Sequence, residues 1–155
     1  MTVTRSAPTC FDVAAYILNK IGQTTTWKLQ KLCYYTQAWS LVWDEKPIFA
    51  DRIEAWANGP VIPDLYAKHR GTFYIDSIEG NVEHLSKSQR ETVDAVIKTY
   101  GDKSSNWLIE LTHTESPWLN ARRREGLGPG ERGEAEITLD DMAEYYGGLC
   151  AETKG

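Results

Sequence analysis

Thr26-Trp27-Lys28-Leu29-Gln30-Lys31-Leu32-Cys33-Tyr34-Tyr35-Thr36-Gln37-Ala38-Trp39-Ser40-Leu41-Val42-Trp43 is the stretch on which the fold turns. Set at ~100° per residue, Leu29, Leu32, Cys33, Thr36, Trp39, Ser40 and Trp43 share one helical face. Tyr35, Ala38 and Val42 cover a second flank, and Trp27, Tyr34 and Leu41 a third. The one continuous polar stripe is Gln30, Gln37 and Asp44. A helix apolar around so much of its circumference is expected at the centre of a core. The chain therefore reads as mainly α: a single compact helical domain around a central buried helix.

Upstream, Thr9 is placed to cap a helix that carries Asp12 in its first turn and Val13, Ile17 and Ile21 on one face, ending at Gly22. Downstream the period changes. Ile48-Phe49 and Ile53 to Trp56 read as short extended pieces forming a small hairpin, with Asn58-Gly59-Pro60 as turn residues. Pro63 suits the first position of a short helix that stops at Gly71. Ser86 and Gln89 form a capping box ahead of Val93, Val96, Ile97 and Tyr100, with Gly101 as the stop. A further helix begins near Ser104 or Ser105, and Ser116-Pro117 opens another toward Arg123. Residues 126–133 hold four glycines and Pro129 and read as a flexible loop. Thr138 then caps a last helix with Asp141 in its first turn, and residues 151–155 read as a tail. Residues 1–155 form one domain on this reading.

The 155-residue chain carries 17 basic and 22 acidic residues, a net charge of −5. Residues 134–155 contain six of the acids and one base, so the net acidity sits at the C-terminal end. That sign disfavours a duplex phosphate backbone as ligand, and no basic recognition helix is visible. No run approaches the roughly 18 apolar residues of a bilayer span, and no secretory leader is seen. Cys10, Cys33 and Cys150 are odd in number and widely spaced, which fits a reducing cytoplasm and no disulfide framework. The expectation is a cytoplasmic protein without membrane contact.

Candidate chemistry is sparse. The cysteines and His69, His84 and His113 lack the spacing of a zinc site, and no phosphate loop, dinucleotide fingerprint or nucleophile elbow occurs. His113 and Glu115 could pair as base and orienting carboxylate, but no nucleophile accompanies them, and a structural role is the expectation. Asp140 and Asp141 suit a first helical turn, and Arg122, Arg123 and Arg124 a solvated helix end. Neither an enzyme nor a cofactor is expected. Six tryptophans and eight tyrosines are the functional lead, because both residue types anchor interfaces. Trp27, Tyr34 and Leu41 are candidates for partner binding if their face is uncovered, with Asp140, Asp141 and Glu144 as electrostatic steering groups.

Three segments carry a family resemblance: Leu29 to Tyr35, Ile53 to Pro63, and His113 to Trp118. In order and spacing they resemble the Panacea domain shared by SocA-like antitoxins and phage-associated GepA-like proteins. The resemblance spans about Phe11 to Tyr146. It implies an antitoxin of a two-gene pair, acting by direct binding to a cognate protein toxin, and no cofactor. It also implies that Leu29, Lys31, Leu32, Tyr35, Glu54, Trp56, Gly59, Pro60, Val61 and Trp118 define the domain. Most of these read as framework, with Lys31 placed to pair with Glu54 and Gly59-Pro60 turning the chain into the short helix. An adaptor that presents a toxin or phage factor to a protease or other machine is the alternative. A homo-oligomer is compatible with the sequence.

Overall fold

The computed structural model describes residues 7–154. In chain order these form α1 (Cys10–Ile21), β1 (Thr24–Thr25), α2 (Thr26–Trp43), β2 (Glu54–Trp56), β3 (Gly59–Val61), α3 (Pro63–His69) and β4 (Tyr74–Ile75). A 3-10 turn at Val82–His84 follows, then α4 (Lys87–Tyr100), α5 (Ser105–His113), α6 (Ser116–Arg124) and α7 (Leu139–Lys154). The fold is mainly α around a central helix, as its sequence implies.

That helix is α2, capped by the Thr25 side chain, which accepts from Lys28 N. It packs most extensively against α7 and α4, with α1 and α5 completing its shell. Every residue from Leu29 to Ala38 is buried. The polar stripe is the first departure from expectation. Gln30 and Gln37 do not meet solvent; each amide pairs with extended backbone. Gln30 Nε2 donates to Ile62 O and Gln30 Oε1 accepts from Ile62 N at 2.8 Å. Gln37 Nε2 donates to Phe49 O at 2.7 Å, and its Oε1 accepts from Ile48 N and Phe49 N. Each glutamine thus supplies the donor and acceptor that a neighbouring strand would supply, which lets two extended segments be buried without an orphaned peptide group. Asp44 ends the stripe by accepting from Ser88 and Thr92 on α4.

The hairpin differs from its expected form. β2 pairs with β3 (Glu54↔Val61, Ala55↔Pro60, Trp56↔Gly59), so Ala57-Asn58 is the tip and Gly59-Pro60 lies on the return strand. Ile48-Phe49 pairs with Gln37 instead. The period-2 signal was correctly placed at Ile53 to Trp56, but a three-residue strand carrying proline gives almost no alternation to read. A second miniature sheet, β1 with β4, went unread because each strand has only two residues. Residues 151–154, expected as tail, continue α7. Residues 1–6 and 155 lie outside the described residues, as does the part of the 151–155 expectation that falls on 155.

Candidate functional site

The segments that carry the motif converge on the β2–β3 hairpin from two sides. From α2, Lys31 Nζ donates to Pro60 O at 3.1 Å. From α6, Trp118 Nε1 donates to Trp56 O at 2.8 Å and Arg122 Nη1 to Ala55 O at 2.9 Å. A third side comes from residues 135–137, where Ala55 N donates to Ala135 O and Ile137 N to Ile53 O. Gly59 packs against Lys31 and Thr112. Its φ is +112°, and a Cβ there would stand 2.6 Å from Lys31 Cε and 2.9 Å from Thr112 Oγ1. Glycine alone meets both demands.

Lys31 is 0% exposed and forms no ion pair among the described residues. The expected Lys31–Glu54 pair does not form: Glu54 accepts from Arg52 at 2.8 Å and from Trp56 Nε1 at 2.8 Å. Burial pushes the Lys31 amine down to about 7. The Trp27 ring also lies beside it, 5.3 Å from Nζ.

Arg122 corrects the expectation of a solvated arginine run. It is buried, stacks its guanidinium 5.1 Å over Trp118, and donates to Gly128 O and Glu131 O. It thereby ties the 126–133 loop, read as free, to the hairpin; Glu131 Oε2 also accepts from Gly128 N. Arg123 and Arg124 are exposed, as expected. His113 also stacks on Trp118, at 4.2 Å and 21°. Burial lowers the His113 pKa, and its buried Nε2 has no hydrogen-bond partner among the described residues.

Glu115 turns away from His113. Its Oε1 accepts from Tyr35 OH and Tyr146 OH, both at 2.7 Å, in a buried cluster that also joins Tyr34 OH to Tyr146 OH at 3.0 Å. Burial raises the Glu115 pKa. His113 and Glu115 therefore have different neighbours. Among the described residues no three His, Cys, Asp or Glu side chains gather as a metal site. Cys10 and Cys33 are buried, with thiols whose pKa burial raises.

Above the hairpin the surface is concave. A cleft of about 640 Å³ is walled by Trp27, Trp56, Ala57 and Asn58, with Glu125, Arg132, Gly133 and Glu134 opposite. A second cleft, of about 250 Å³, is also lined by Trp27, together with Thr26, Tyr66, His69, Arg70, Gly71, Thr72 and Phe73. Phe73 and Tyr74 beside it are 59% and 58% exposed.

A family model described as "Antitoxin SocA-like, Panacea domain" matches residues 29–119. The chain belongs to the SocA-like antitoxin family. No curated protein and no solved structure matches it. The matched stretch of this SocA-like antitoxin begins on α2 and ends on α6, and so contains the hairpin, Lys31 and Trp118. It leaves out Arg122, the glycine loop and α7, although all three complete the hairpin's support or the core.

The partner-binding candidates divide. Trp27 is half-buried and lines both clefts. Tyr34 is 1% exposed and packs edge-on against Tyr35 and Tyr146, so α7 covers it and no partner can reach it in this structure. Leu41 is partly buried against the core. Asp141 is held by Arg124 at 2.7 Å, while Asp140 and Glu144 are exposed. Sequence reading missed Phe73, Tyr74 and Arg70. The adjacent rings Phe73-Tyr74, two residues after Gly71, were the available signal.

Proposed function

We propose that this SocA-like antitoxin neutralises a cognate protein toxin by direct contact through the surface centred on Trp27. The observation that carries the proposal is one tryptophan, Trp27, that lines two clefts, beside two aromatic rings more than half exposed. Large rings at the edge of concave surface are where binding energy concentrates, because they desolvate much apolar area at little entropic cost. The hairpin below supplies rigidity. Its backbone is held by Lys31, Trp118 and Arg122, so its tip is presented in one position, and preorganisation favours affinity.

The test is co-expression with the product of the neighbouring open reading frame, scored by rescue of growth. The wild-type chain rescues. Phe73→Ser and Trp27→Ala lose rescue, and binding weakens by at least about 10-fold, the effect of removing a hot spot worth about 1.4 kcal/mol or more. Circular dichroism and urea unfolding confirm that the variants fold. Full rescue by folded Trp27→Ala and Phe73→Ser refutes this surface.

A further inference from the structure

The smaller of the two clefts differs from the larger in charge. Glu125 and Glu134 line the larger one together with Arg132. No carboxylate lines the smaller. Its charged or titratable members are His69 and Arg70, set among Trp27, Tyr66 and Phe73.

Arg70 is exposed at the end of α3 and makes no ion pair among the described residues, and the same holds for Lys68 beside it. Asp64, the acid of α3, lies at the opposite end of that helix and is turned toward Asp51. The cleft is thus an aromatic socket with the exposed Arg70 guanidinium at its rim. Its volume, about 250 Å³, suits one bulky apolar side chain.

We propose that this cleft receives an acidic segment of the partner protein, with an apolar side chain seated between Trp27, Tyr66 and Phe73 and a neighbouring carboxylate on Arg70. The proposal rests on the reading of the chain as a protein-binding antitoxin and adds the chemistry of what is recognised. Arginine suits the role, since its planar fork grips a carboxylate through two parallel hydrogen bonds. Specificity follows from the same arrangement. A basic segment entering here would meet Arg70 and Lys68 without a compensating acid.

Random peptides displayed on phage and selected on the intact chain provide the probe. The expected outcome is enrichment of peptides carrying Asp or Glu next to an aromatic or large aliphatic residue. Fluorescein-labelled versions of the enriched peptides should bind Arg70→Glu at least 10-fold more weakly than wild type. Glu125→Gln, in the other cleft, should leave their affinity unchanged. Enrichment of basic or charge-indifferent peptides, equal binding to Arg70→Glu, or no enrichment overturns the proposal. So does sedimentation of the wild type as a dimer that Arg70→Glu converts to monomer, because the occupant is then a second copy. Growth rescue by the wild-type chain, and its loss in Trp27→Ala, judge the antitoxin reading separately. A failed selection alongside that pattern removes only the acidic segment.

Discussion

Replacing Lys31 by methionine should stabilise the protein at neutral pH, although it removes a hydrogen bond from the centre of the family motif. The amine is fully buried, forms no ion pair among the described residues, and donates to one carbonyl, Pro60 O. Its pKa falls from 10.5 to about 7. Between these values the unfolded chain holds a proton that the folded chain has lost, so stability rises with pH across this window. Below pH 7 both states are charged and the whole burial penalty is present. At 1.36 kcal/mol per unit that penalty is about 5 kcal/mol. Methionine matches the lysine stem in volume and carries no charge, and its cost is an unpaired Pro60 carbonyl, about 1–3 kcal/mol. The balance favours Lys31→Met by about 2 kcal/mol or more near pH 6–7. The advantage should shrink by about 1.4 kcal/mol per pH unit above pH 7, so the two curves cross between about pH 8.5 and 10. Urea unfolding followed by tryptophan fluorescence at several pH values measures this directly, and the difference between the proteins cancels groups titrating in both. A Lys31→Met protein less stable than wild type at pH 6, or a gap that does not change with pH, would refute the reasoning.

Two further outcomes test the supports of the hairpin and the core. Gly59→Ala should cost about 2–5 kcal/mol, combining about 1–2 for an unfavourable φ with about 1–3 for displacing Lys31 and Thr112. Gly22→Ala, where φ is +76° and the added Cβ meets nothing within 4 Å, should cost only the first part; equal losses in urea unfolding would show that Lys31 gives way freely. Tyr146→Phe withdraws a donor from the Glu115 carboxylate and should cost about 1–3 kcal/mol at pH 7. Because burial already raises the Glu115 pKa, the folded protein takes up its proton before the unfolded chain does on acidification, and the cost should fall toward pH 4, where the neutral acid needs that donor less. A cost independent of pH would place the importance of Tyr146 in packing alone.

The helices were legible because their signals are local. Thr9 with Asp12, and Ser86 with Gln89, are caps readable within four residues, and the observed boundaries follow them. Circumferential apolarity located α2 at the centre for the same reason. What remained hidden depends on partners distant in sequence. Gln30 looks like a solvent stripe until Ile62 is found beside it, 32 positions away. Arg122 reads as one of three surface arginines until Ala55 O, 67 positions earlier, is seen to need a donor. Tyr34 was equally ambiguous, since its exposure depends on whether α7 docks over it. At the candidate site, Trp27 was singled out for its position on α2. Phe73 and Arg70 were missed, because a short helix followed by a two-residue strand has no periodicity from which an outward face can be read.

The division of labour at the hairpin bears on how one scaffold could serve a contact function. The groups that fix its backbone are Lys31, Trp118, Arg122 and residues 135–137, and they bond to peptide groups rather than to side chains. Backbone bonds do not depend on which side chains the hairpin tip carries. Ala57 and Asn58 at the tip are not among these supports, and Phe73 and Arg70 on the neighbouring segment are exposed. Substitution at such positions, away from buried bonds, normally changes stability by no more than about 0.5 kcal/mol. Side chains that would meet a partner can therefore vary while those that hold the platform stay fixed. The motif that identifies the family thus supports the hairpin backbone, through Lys31 and Trp118.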